Sequence, residues 1–96
     1  MRIRVTSVKA LEKYKIFIQF SEGSEGILDL QNLAGKGVFK IWDLDDNFQK
    51  VFISNESGAI TWPEEIDIDT LNAYFTIKNI SPEDYFKKEK EHALYL

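Results

Sequence analysis

A chain of 96 residues and 11.2 kDa holds one small domain. Hydrophobic residues make up 44% and charged residues 29%, a globular composition rather than a disordered one. Twelve Lys and Arg stand against 16 Asp and Glu, and the net charge of −4 argues against general nucleic-acid binding through a basic surface. There is no cysteine, which excludes disulfides, zinc–thiolate sites and thiol nucleophiles. No stretch approaches the roughly 20 apolar residues of a membrane span. The first residues, Met1 to Val8, lack the apolar region and small-residue cleavage site of a signal peptide. A cytoplasmic location is therefore expected, and the triplets Asn55-Glu56-Ser57 and Asn79-Ile80-Ser81 read as chance matches to a glycosylation signal.

The first third of the chain reads as strands. Ile3, Val5 and Ser7 alternate with Arg2, Arg4 and Thr6, and Tyr14, Ile16, Ile18 and Phe20 share one face of a second strand. Ser21 to Gly26 is a turn-rich break, followed by a short strand at Ile27-Leu28-Asp29-Leu30, so the pair predicts a hairpin. From Gln31 to Asp46 the apolar residues are irregularly spaced, which predicts short helical turns broken by Gly35 and Gly37. Phe48 to Ile53 reads as a strand, Asn55 to Gly58 as a turn and Ala59 to Trp62 as the returning strand. Pro63 ends that strand because it donates no ladder hydrogen bond. Asp67 is a candidate N-cap for a helix carrying Ile68, Leu71, Tyr74 and Phe75. A last helix is predicted from Ser81, with Pro82 at its first position and Glu83–Lys87 and Asp84–Lys88 as i, i+4 pairs. Its apolar face, Tyr85, Phe86, Ala93 and Leu94, is sparse.

Several segments invite a chemical reading. Asp43 to Asn47 opens like a calcium loop, but Phe48 and Ser54 stand where the sharp Gly and the bidentate Glu belong. Glu64, Glu65, Asp67 and Asp69 cluster around Pro63; two such carboxylates can share acid and base work when their pKa values are pushed apart, and otherwise they cap and solvate. His92 is the only histidine and has no second histidine or cysteine with which to bind a transition metal. Gly35-Lys36-Gly37 lacks the spacing of a phosphate loop, and no Ser–His–Asp set is identifiable. No catalytic, cofactor-binding or metal residue is assigned.

Charge is uneven. Residues 1–20 hold Arg2, Arg4, Lys9, Lys13 and Lys15 against Glu12, a net +4, so the rest of the chain carries −8. On the outer face of two strands, Arg2, Arg4, Lys13 and Lys15 would form a positive patch able to meet an acidic partner or RNA, or simply a solvated face that discourages edge aggregation. The aromatic residues, 14% of the chain, belong in a core or at a dimer interface.

The order of these signals resembles the short bacterial domain-of-unknown-function 2442 family. The likeness is carried by the strand ending in Phe20 before a Gly turn, the Asp29-Leu30 pair, Phe48-x-x-Val51, and Gly58-Ala59-Ile60-Thr61-Trp62-Pro63 followed by Ile66-Asp67-Ile68-Asp69-x-Leu71. The chain departs from the family where Glu65 and Thr70 stand near a common Gly and a common Pro, and where the turn is stretched over Ser21 to Gly26. The resemblance implies a small α+β domain, of a kind found alone or fused to a helix-turn-helix and sometimes beside toxin–antitoxin-like neighbours. It supplies no catalytic residues.

The combined expectation is one α+β domain over residues 1–96, with a core over 1–78 and a C-terminal helix over 81–94. It has a mostly antiparallel sheet of about five short strands, with the later helices C-terminal. The leading functional expectation is a non-enzymatic protein-interaction or regulatory domain, antitoxin-like in kind, with a protein partner or a second copy and no cofactor. The alternatives are a small nucleic-acid-binding regulator using Arg2, Arg4, Lys13 and Lys15, and a carboxylate hydrolase using Glu64 to Asp69.

Overall fold

Alternation brings the first strands together, and a buried aromatic cluster brings the rest of the chain onto them. The computed structural model describes residues 3–81 and Glu83. In chain order these form β1 (Val5–Ala10), β2 (Lys15–Phe20), β3 (Glu25–Asp29), two 3₁₀ segments (Gly37–Asp43 and Asn47–Lys50), β4 (Phe52–Ile53), β5 (Ile60–Trp62), β6 (Ile66–Ile68) and α1 (Thr70–Lys78). The strands make two antiparallel three-stranded sheets, β1-β2-β3 and β4-β5-β6.

The class is α+β, as expected, but with six described strands rather than about five. The helix expected over 81–94 lies outside the described residues apart from Ser81 and Glu83, as do Arg2, His92 and the pairs Glu83–Lys87 and Asp84–Lys88.

In the first sheet Ile16, Ile18 and Phe20 face inward, opposite Leu28 and Gly26 of β3. β1 departs from a single alternation. Its register shifts between Val5 and Ser7, so Ile3 and Val5 face the core before the irregularity and Val8 and Ala10 after it. One extra residue reverses the facing of everything beyond it. Ser7, expected beside Val5, therefore pairs with exposed Gln19.

The middle of the chain is helical in short 3₁₀ turns, as its irregular spacing predicts. Gly35 and Gly37 take positive φ (77° and 51°) at the entry. The strand expected over Phe48 to Ile53 is corrected: Asn47–Lys50 is a 3₁₀ turn and only Phe52–Ile53 pairs with β5. Packing decides this. Phe48 is fully buried against Trp42 and Trp62, and its carbonyl accepts the Trp62 indole N–H at 3.0 Å.

The helix start is also corrected. Pro63, Glu64 and Glu65 form a tight turn between paired Trp62 and Ile66, so Asp67 lies in β6 opposite Thr61 and Ile68 pairs with Ile60. Asp69 is the cap, its Oδ2 accepting the Asn72 N–H at 2.9 Å. The sequence Ile-Asp-Ile-Asp offers two caps, and the ladder to β5 takes the first.

Both sheets close over one core. The Gln49 side chain donates to the Leu11 carbonyl at 3.1 Å, while Glu56, Ser57 and Gly58 border a recess with Ile3, Arg4 and Val5. The chain through β4 thus runs past β1 in the opposite direction. The Tyr14 ring, just before β2, lies against Trp42 and Phe48, and its hydroxyl donates to the Asp43 carboxylate. Burial of that hydrogen-bonded hydroxyl is slight, yet the bond to Asp43 raises its pKa above the ordinary tyrosine value.

Candidate functional site

Among the described residues, the candidate basic side chains Arg4, Lys13 and Lys15 do not gather into one patch. Arg4 sits where β1 begins: its N–H donates to Ser21 Oγ at 3.1 Å, and the Ser21 N–H donates to its carbonyl at 2.8 Å. Lys13 and Lys15 lie at the other end of the hairpin, in the β1–β2 turn and the first position of β2. Val5 pairs with Phe20 and Ala10 with Ile16, so the two groups are separated by the strand length, roughly 15–20 Å. Lys9 lies between them, exposed, opposite Phe17.

The acidic segment is only partly brought together: Glu65 and Asp67 border one recess with Glu56, while Asp69 serves α1. Glu64 and Glu65 hold the β5–β6 turn at φ 69° and 59°, Asp67 points away from the core on β6, and Asp69 caps α1. All four are exposed. Of the calcium-like segment, Asp43 receives the Tyr14 hydroxyl and the Asn47 side chain donates to the Ile41 carbonyl at 3.1 Å. Among the described residues no group of three or more His, Asp or Glu is placed to hold a metal ion. No helix among them is long and apolar enough to cross a membrane.

Two surfaces remain. The first is a groove of about 350 Å³ between the end of β3 and the first half of α1. Leu28, Leu30, Leu33, Ile68 and Ala73 make its apolar lining; Asp29 and Asn32 stand along one side, and Asp69, Asn72 and Thr76 along the other. Each Asp has one carboxylate oxygen engaged locally, Asp29 by the Gln31 N–H at 2.9 Å and Asp69 by the Asn72 N–H. Each retains a second acceptor oxygen.

α1 is fixed over the start of β3 by two contacts. Ile77 packs so closely on Gly26 that a Cβ there would come within 2.5 Å of Ile77 Cγ2. The Glu22 carboxylate, in the β2–β3 turn, accepts the Ser24 N–H at 2.7 Å and the Tyr74 hydroxyl at 3.4 Å. Its pKa is lowered, chiefly by the hydrogen bond from Ser24, with lesser help from Lys78 and Tyr74 and some opposition from desolvation. The groove escaped the sequence reading. Its two sides are nevertheless marked by one repeated pattern, Asp29-x-x-Asn32, opening on the last residue of β3, and Asp69-x-x-Asn72, opening directly after β6.

The second surface is the outer face of the first sheet. Lys9, Phe17 and Ile27 form one cross-strand row, with Ser7, Gln19 and Glu25 on one side of it and Lys15 and Asp29 on the other. Phe17 is half-buried, and Ile27 is 58% exposed at the centre of β3.

A family model described as "Protein of unknown function (DUF2442)" matches residues 5–86. The chain belongs to this family. No curated protein and no solved structure matches it. Two departures of this DUF2442 chain now have a structural setting. Glu65, where the resemblance leads one to expect a Gly, takes the positive φ that Gly tolerates best, and Thr70, where it leads one to expect a Pro, is the first residue of α1, a position that favours Pro.

Proposed function

We propose that the chain is a non-enzymatic protein-interaction domain of regulatory, antitoxin-like kind. Its groove between β3 and α1 takes an apolar side chain from a partner segment that also carries a basic group. The observation that carries this reading is the groove itself: a volume of about 350 Å³ with a largely apolar lining that also includes Asp29 and Asp69. That volume lies at the small end of ligand pockets and suits one or two side chains. The two carboxylates favour a cationic neighbour and disfavour a phosphate backbone.

The test is capture of a stoichiometric partner by the tagged full chain, repeated with Thr76→Trp, which fills the groove mouth, and Asn72→Arg, which sets a cation beside Asp69. Both positions are exposed, so melting should change little. Binding should weaken by at least about tenfold in each variant. A partner held equally well by both variants, or binding only to RNA or DNA that weakens with salt, overturns the reading.

A further inference from the structure

We infer that the outer face of the β1–β2–β3 sheet pairs with a second copy of this chain, face to face about a twofold axis parallel to β2. The face is built for a copy of itself. Its centre is apolar, Phe17 beside a 58% exposed Ile27, where an open antiparallel sheet ordinarily alternates to polar residues. Its β1 side is basic, with Lys9 and, further along, Arg4; its β3 side is acidic, with Glu25 and Asp29.

Rotation about an axis along β2 exchanges the two sides. Lys9 of each copy then lies over Ile27 of the other, with Glu25 and Asp29 two residues away along the strand in either direction. Phe17 meets its own symmetry mate at about the 10 Å spacing of packed sheets. Lys15, on β2, also meets its own mate across the axis, and each copy's Asp29, its cross-strand neighbour, stands beside that pair. The alternative twofold, across the strands, sets Lys9 on Lys9 and Glu25 beside Asp29, and like charges reject it. Either twofold is isologous, but the first sets one like-charge pair, Lys15 on Lys15, against three in the second, and is the better matched in charge. The groove lies on the side of the sheet that α1 covers and shares with this face only Asp29, at the end of β3, so Thr76→Trp and Ile27→Lys, which avoid Asp29, separate partner binding from self-association.

The test is light scattering of the full chain across a concentration series. The expected mass is twice the 11.2 kDa of one chain at the upper concentrations. Ile27→Lys and Lys9→Glu should each raise the dimer dissociation constant by at least about tenfold. Lys9→Glu combined with Glu25→Lys should recover most of the loss, which a merely structural role for Lys9 does not predict. Ile27→Thr, β-branched and polar, serves as the apolar test if the lysine variant fails to fold. A monomer at every concentration overturns the inference. So does a dimer unmoved by either Ile27 variant, or a double variant no tighter than Lys9→Glu alone. Thr76→Trp should leave the mass unchanged.

Discussion

The two sheets have three strands each and are held by different means. In the first, strands of five or six residues pair along their length, and alternation alone sorts Ile16, Ile18 and Phe20 inward from Lys15, Phe17 and Gln19. In the second, strands of two and three residues offer few ladder bonds, and the sheet rests on what packs against it: Trp62, fully buried, lies against Trp42 and Phe48 and is tied to the Phe48 carbonyl. A long-stranded sheet tolerates an open face; a short-stranded one depends on its aromatic neighbours.

Breaking the aromatic cluster should have the largest effect. Trp62→Ala should cost about 3–5 kcal/mol, seen as lost denaturant midpoint, with the second sheet's amides losing exchange protection before the first's. The two tryptophans sharpen the point. Trp42 is buried with its indole N–H unpartnered among the described residues, whereas Trp62 donates to Phe48. Trp62→Phe leaves a buried carbonyl unpaired, and Trp42→Phe removes an unpaired donor. Chemical denaturation should find the former more costly by about 1–3 kcal/mol.

A smaller effect tests the attachment of α1 to the first sheet. Gly26→Ala drives a methyl group into Ile77 and should cost about 1–3 kcal/mol; Ile77→Ala in the same chain should return part of it, a coupling that a double-mutant cycle measures.

The smallest concerns pH. Glu22 has a folded-state pKa below its ordinary value of 4.5, so its stabilisation is present above that value and is lost as pH falls through the lower folded value. Stability measured from about pH 6 down to about pH 3 should therefore fall less steeply in Glu22→Gln than in the parent, by a modest amount because the group is near the surface.

The first hairpin was legible because its period of two is local: each residue's neighbours in the chain already reveal its face. The bulge in β1 was not, since Val5-Thr6-Ser7-Val8 is compatible with either phase until Phe20 and Gln19 fix the register. Phe48 to Ile53 reads as a strand by composition, yet the burial of Phe48 against two indoles bends it into a 3₁₀ turn. Asp67 and Asp69 are equivalent caps in one dimension and become strand and cap only when β5 needs a partner. Of the candidate basic residues, Arg4 is close in the chain to Lys13 and Lys15 and distant in space, because it lies at the open end of the β1–β2 pair and they lie at its turn.

By itself the sequence determined the class, the first hairpin, the family and the absence of thiol chemistry, all of which follow from composition or from patterns within a few residues. Only the tertiary structure decided the sixth strand, the shared aromatic core, the groove flanked by Asp29 and Asp69, and the row of Lys9, Phe17 and Ile27. Each of those joins residues far apart in the chain, and such neighbours are chosen by packing and register, which no local pattern encodes.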